Sequence, residues 1–554
     1  MSIRSLLSIL AAVSILTLTS PLPAPLHAAP EPDGMVNNLK APPTPAAETL
    51  AGPLGPLALT QPGIYTYSLA ARVDFTDHRR APTWDWSGVQ ISARVPAAAV
   101  DGPVVVKTER GDSNNSSPFD VGASAVPSES GEGTTWAFTA SGPITASTMW
   151  TENVLVTGDV TVTRGVTLTI APGVTVFFAA HSDDQAAGYW PNKSELHVFG
   201  TLIAEGTPTA PIYFTSNAAV KAIGDWGAVA IRVGSTTSSL SNCVVHHAQH
   251  GLHFYSYNDG VGGTLSGTVS NCRISHNGSG VYVLGIPEWP AGGTVTVSPT
   301  IANNLITDNV EHGVYLEASS GYGTANNYAV VRNNVIANSS SGIWVRGQTW
   351  WLGHADDYPQ ILNNTIRNSA SCGIYVQTLG SIDGSGADTD MQPTIEHNLL
   401  EDNLYNIYLY IESSGSDGTK ILNPTLRYNT IRDAMNGITI DDGHISGTVN
   451  PTISHNVFYG MTGYIVNNVT ARTITLGDNY WGDSEAEWDA GPQPGATYGN
   501  VVVGSHLTSS SPPILPRVEP AAAQPGADVI LYGANFGPPP PQVMLPIVLP
   551  YSNY

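Results

Sequence analysis

One short phrase recurs along the middle of the chain: a Gly, replaced once by Asn, then an apolar residue, a ring-bearing residue and a second apolar residue. Its third position is filled in turn by His253, Tyr282, Tyr315, Trp344, Tyr375 and Tyr408, then by Thr439. Side chains alternate along a strand, so the two apolar residues turn one way and the ring the other. The next position on the ring side holds Tyr255, Leu284, Glu317, Arg346, Gln377, Tyr410 and Asp441. A line of rings flanked by hydrogen-bonding groups suits a sugar polymer, because pyranose faces stack on aromatics while hydroxyls seek carboxylates, amides and guanidinium. The six ring positions are therefore the candidate substrate-binding set, with a polysaccharide or cell-surface glycan as partner. The same pattern also suits rings stacked purely for stability, since aromatics favour strands and neighbouring pairs support each other.

The elements that must position this row are strands in a repeat. Each unit runs as an apolar strand, an Asn, a second strand, a polar turn and the Gly strand, as in PTIANNLI at 299–306 followed by GVYL at 313–316. Aligned on the central position, the units meet at Cys243, Cys272, Asn304, Asn334, Asn364, Asn398, Asn429, Asn456 and Asn479, at intervals of 23 to 34 residues. Apolar residues alternate over three to five positions, which is strand rather than helix periodicity. Strands this short cannot bury a face alone, so successive units must stack as parallel coils. At one strand spacing per coil the nine units span about 40 Å. The reading places Ile301, Ile361, Ile395, Leu426 and Ile453 in one inward column and makes the Asn residues an internal ladder, with Asn tolerating left-handed backbone at the turn. Cys243 and Cys272 become direct neighbours, expected as free buried thiols because in-register positions lie farther apart than a disulfide allows.

The phrase GDVTVTRGVTLTIAPGVTV at 158–176, continued by LHVFGTLIAEG at 196–206, PIYFTS at 211–216 and WGAVAI at 226–231, resembles the opening coils of pectin-lyase-like parallel β-helix proteins; NYWG at 479–482 is similar to their closing phrase. The resemblance implies an all-β, right-handed parallel β-helix over 151–485. It does not choose an activity, because lyases, hydrolases, epimerases, adhesins and inactive proteins share the fold.

Lyases of this fold need a base, often Arg or Lys, near carboxylate-bound Ca²⁺; Arg346 with Asp356 and Asp357 could imitate that. The hydrolases use two or three carboxylates, for which Asp388, Asp390 and Asp441 are the candidates. The acids at 356–390 fall in the variable segments that follow the Gly strands, read as loops on one edge of the coils. Asp388 and Asp390 are also hard-oxygen candidates for Ca²⁺, without the spacing of a calcium loop. In the run HHAQHGLH at 246–253, His246 and His250 are candidate ligands for Zn²⁺ or Cu²⁺, although the repeat spreads the run around one turn.

At the start, Arg4 precedes an apolar run at 6–18 that ends near LHAA at 26–29, the layout of a signal peptide cleaved after Ala28. The run is too short to cross a bilayer, and no later stretch is long and apolar enough, so the mature chain is expected to be secreted, to the exterior or cell surface, with no transmembrane segment. Residues 29–62 read as a Pro/Ala-rich leader, 63–150 as a small β region or N-terminal cap, and 486–515 as a linker. The phrase PRVEPAAAQPGADVILYGANFG at 516–537 resembles the first strands of an IPT/TIG domain, followed by too little chain to close a sandwich and by an apolar tail. The net charge of −23 opposes nucleic acid and strongly anionic polymers as partners. Two functions fit: a secreted β-helix protein that binds, or binds and cleaves, a polysaccharide, or a non-catalytic surface or adhesion protein.

Overall fold

The computed structural model describes residues 72–536, apart from 76–78, 81–82, 85–89, 96–101, 109, 114–117, 122–125, 257–261, 288–291, 380–386, 413–418, 444–446, 520–521 and 524–527. The expected signal peptide, leader and apolar tail lie outside the described residues.

The chain is a right-handed parallel β-helix. Each full coil contributes to four faces. The first is an 11-stranded sheet that includes Thr300–Ala302, Val330–Arg332 and Gln360–Leu362. The second carries strands such as Leu305–Thr307 and Val335–Ala337. The third carries the Gly strands, including His312–Ser320, Ser341–Thr349 and Cys372–Leu379. The fourth is a seven-stranded sheet of segments such as Thr324–Asn327, His354–Asp357 and Asp388–Met391. This last sheet corrects the sequence reading. Asp356, Asp357, Asp388 and Asp390 stand on paired strands, not in loops, because their alternation is too short to stand out until coils are stacked.

The inward column is in register: Ile301 pairs with Val331, Ile361, Ile395, Leu426 and Ile453 follow, and each has at most 1% of its surface exposed. Fully burying an Ile or Leu contributes roughly 1.5–3 kcal/mol. Beside the column, Asn304, Asn334, Asn364, Asn398, Asn429 and Asn456 each donate Nδ2 to the next Asn Oδ1 at 3.0–3.1 Å. The left-handed backbone sits one residue earlier than expected, at Asn303, Asn333, Asn363, His397, Tyr428 and His455. The division of labour is physical: the first residue turns the chain, and the second aims its amide inward. Cys243 and Cys272 are free and buried, with Cys243 N 3.4 Å from Cys272 Sγ.

Both ends of the repeat differ from the sequence reading. Strand Gln90–Arg94 pairs antiparallel with Asp528–Ala534, which pairs antiparallel with Ile514–Glu519. Val73, Ile91, Val106, Leu515, Val529 and Phe536 share one small core. Strands from the N-terminal segment and from the C-terminal phrase thus form one small sheet and share its core. The stretch 486–515 is not a free linker. It includes the end of helix Glu485–Ala490 and strands Thr497–Tyr498 and Val501–Val503, which pair with the last coils, and Tyr480 donates to the Pro512 carbonyl at 2.9 Å.

Candidate functional site

The third face sets the ring row. Each Gly of the phrase lies too near its neighbours to carry a side chain: a Cβ on Gly342 would meet Ile366 Cγ2 at 2.5 Å and the Gly373 carbonyl at 2.6 Å. This close approach leads the chain into the strand, and strand register then fixes the rings. Tyr282, Tyr315, Trp344, Tyr375 and Tyr408 occupy equivalent positions of five successive coils, with His253 before them and Thr439 after. Ring centroids are 4.3 Å apart for Tyr282 and Tyr315, 5.7 Å for Tyr315 and Trp344, 5.0 Å for Trp344 and Tyr375, and 5.5 Å for Tyr375 and Tyr408.

The row is not uniformly open. His253 is 1% exposed and Tyr315 3%, whereas Tyr282, Trp344, Tyr375 and Tyr408 are half-buried. His253 is covered because Tyr189 and Trp190 pack on it, with centroids 5.6 and 5.9 Å away. Tyr282 is also sandwiched between His250 and Tyr315, with centroids 4.2 and 4.3 Å away. His253 as a contact residue is corrected to a buried one. Ser341–Thr349 continues as strand past Trp344 and turns at 350–353.

Polar groups flank the rings. Tyr315 donates its hydroxyl to Glu317 Oε2 at 2.5 Å, Arg346 Nη1 donates to that hydroxyl at 3.2 Å, and the Arg346 and Glu317 charges stand 3.9 Å apart. Farther along, Gln377 donates to Glu412 at 2.6 Å and Tyr408 to Asp441 at 3.1 Å. Burial pushes the Tyr315 hydroxyl above its usual range. Burial disfavours the Arg346 charge, but Tyr315 and Glu317 outweigh it and hold the guanidinium above its ordinary value. Arg346 is thus a fixed cation, unsuited to accepting a proton. Among the described residues, Trp344 Nε1 and Arg346 Nε are buried donors with no hydrogen-bond acceptor.

The candidate catalytic residues fall on two faces, with Asp356 and Asp390 in register on the fourth and Arg346 and Asp441 on the third. Asp356 and Asp357 are consecutive on one strand and face opposite ways: Asp356 Oδ1 meets His354 Nε2 at 3.0 Å, while Asp357 is fully buried and accepts from Asn327 at 3.0 Å. Burial pushes the Asp357 carboxyl well up. Asp388 accepts from Thr419 N at 3.0 Å, Asp390 accepts from Tyr358 at 2.7 Å, and both stand on the fourth face, whereas Asp441 ends a strand of the third. His246 points to Glu132 at 3.3 Å and His250 stacks on Tyr282 at 4.2 Å, so they do not share a site. Among the described residues, one group of three His, Cys, Asp or Glu donors converges: Asp159, Glu195 and His197. The sequence reading missed it, because these residues lie before the aligned repeats and 36 positions separate the first two.

Residues 209–383 match the family model described as periplasmic copper-binding protein (NosD). No curated protein matches the chain. Among solved structures, a mutant of the periplasmic alginate epimerase AlgG is similar at 10% identity, with a TM-score of 0.31, over 66% of this chain and 79% of that one. Among the described residues of 209–383, no three His, Cys, Asp or Glu donors converge.

Proposed function

We propose that this chain is an exported, glycan-binding β-helix protein that holds a neutral or weakly charged polysaccharide along Tyr282, Trp344, Tyr375 and Tyr408. The observation that carries the reading is the in-register row itself: Trp344, Tyr375 and Tyr408 half-buried one coil apart, with Tyr282 two coils before Trp344, flanked by Gln377, Glu412 and Asp441. Export is supported by the signal-peptide layout of the first 28 residues and by the periplasmic name of the matching family model. Binding rather than cleavage is favoured because Arg346 is neutralised by Glu317 and the candidate acids are divided between two faces. The acidic net charge, with Glu412 and Asp441 beside the row, disfavours uronate polymers unless a cation intervenes.

The test is a panel of soluble polysaccharides, with binding and product release read separately. Saturable binding without product supports the reading; release of oligosaccharides would make the protein an enzyme. A second reading, a non-catalytic surface or adhesion protein with a purely structural ladder, is favoured by the covered His253 and Tyr315. It predicts no glycan binding at all.

A further inference from the structure

Asp159 lies on strand Val154–Val162, which pairs in parallel with Leu196–Val198, the strand that carries His197; Glu195 immediately precedes it. One oxygen of each carboxylate and one imidazole nitrogen lie within 4.8 Å of one another, and the three residues are 4%, 0% and 5% exposed. His197 Nε2 is 3.7 Å from both Asp159 Oδ2 and Glu195 Oε2, too far for a hydrogen bond. Asp159 Oδ2, His197 Nε2 and Glu195 Oε1 have no hydrogen-bond partner in the protein.

The surroundings hold this arrangement open. Asp159 Oδ1 accepts from Glu195 N at 3.0 Å, and Glu195 Oε2 accepts from the N–H groups of Tyr189 and Trp190 at 2.7 and 3.0 Å. The space between the donors is bordered by Gly188. A Cβ there would stand 2.3 Å from Glu195 Oε2, 2.5 Å from Asp159 Oδ2 and 3.0 Å from His197 Nε2, so any other residue would fill it. Two buried carboxylates this close need positive charge. Arg232 brings one cation to the far side of the ring, with Nη1 3.3 Å from His197 Nδ1.

We propose that Asp159, Glu195 and His197 form a site for a divalent cation of the Zn²⁺ or Mn²⁺ class. Two carboxylate oxygens and an imidazole, with no thiolate, suit these ions better than Cu(I). A four-coordinate ion with ligands at about 2.1 Å keeps its donors roughly 3.4 Å apart, so the 3.7 Å separations need contract only slightly. A guanidinium only donates, so Nδ1 accepts from Arg232 and the neutral ring carries its proton on Nε2. An ion held at Nε2 would need the ring proton on Nδ1, and the Arg232 contact to that nitrogen would then have to be given up. Because Tyr189 and Trp190 bond Glu195 through their backbones and cover His253 with their rings, the ion ties down the segment that closes the start of the ring row.

The test is titration of the chelator-stripped, desalted full mature chain with ZnCl₂ and MnCl₂, followed by calorimetry and by hydrogen exchange of residues 183–195. One equivalent should bind, and exchange in that segment should slow. Asp159→Asn and His197→Gln should each weaken binding at least tenfold and abolish the exchange response. X-ray absorption at the zinc edge, which needs no variant, should show only nitrogen and oxygen ligands with a single imidazole. Absence of stoichiometric binding, a sulfur or multi-imidazole shell, or unchanged affinity in folded variants would overturn the inference.

Discussion

The Tyr315 hydroxyl donates to Glu317 Oε2 at 2.5 Å, and Arg346 approaches the same hydroxyl from the next coil. Glu317 and Arg346 side chains are 6% and 11% exposed. Removing one member of such a pair leaves the other as a buried, uncompensated charge. Glu317→Ala should therefore destabilise the protein by about 3–5 kcal/mol, and the double change Glu317→Ala with Arg346→Met should recover much of the loss. Chemical denaturation of the parent and the two variants checks both outcomes.

The Asn ladder predicts a contrast between adjacent residues. Asn364 accepts from Asn334 N and Nδ2 and donates to the Val331 carbonyl and to Asn398. Asn364→Ala leaves several buried groups unpaired, each costing about 1–3 kcal/mol. Asn363 supplies the left-handed turn at φ 59°, which Gly adopts readily, but its Nδ2 also donates to Asn333 Oδ1 at 2.7 Å. Asn363→Gly should therefore cost about 1–3 kcal/mol for the one ladder bond lost, less than Asn364→Ala, which loses four. Equilibrium unfolding separates the two.

Cys272 stands where later coils have Asn. Its N–H already donates to Asn304 Oδ1 at 2.9 Å, and its Sγ lies 3.7 Å from the Leu240 carbonyl, the group an Asn amide would reach. Cys272→Asn should extend the ladder by one rung and be neutral or stabilising by about 1 kcal/mol. A large fall in melting temperature would count against the equivalence.

Acid should weaken the third face. Burial lowers His250 to about 3, helped by His312 and Lys193, and lowers His312 to about 3, helped by Arg346. Unfolding returns both to 6.5, so below that pH the unfolded chain binds more protons and stability falls with pH until about 3. Above 6.5 this contribution is fully present. The fall between pH 6.5 and 4 should be shallower in His250→Gln and His312→Gln than in the parent, as measured by melting temperature against pH.

The coils were legible in the sequence because the inward column and the Asn ladder repeat at one offset, and stacking demands both. The left-handed residue was misplaced by one position, because Asn-Asn at 303–304, 333–334 and 363–364 offers two equally apt residues. His397, Tyr428 and His455 mark the turn only once the backbone is known. The fourth sheet was hidden because its strands vary in content, from TANN to HADD to DTDM, so that register rather than composition makes them a sheet. The pairing of Gln90–Arg94 with Asp528–Ala534 and the convergence of Asp159 with His197 are long-range contacts, which no local pattern encodes.

The most direct measurement is glycan affinity and melting temperature on one double variant, Trp344→Ala with Tyr375→Ala. Both rings are half-buried, with centroids 5.0 Å apart. Each stacked ring contributes on the order of 1 kcal/mol to binding, so affinity for the polysaccharide found in the panel should fall roughly tenfold or more. Some loss of melting temperature is expected from the buried part of each ring. Unchanged affinity in a folded variant, or a fall in melting temperature with no polysaccharide bound by the parent, would contradict a glycan-binding row and leave a structural ladder.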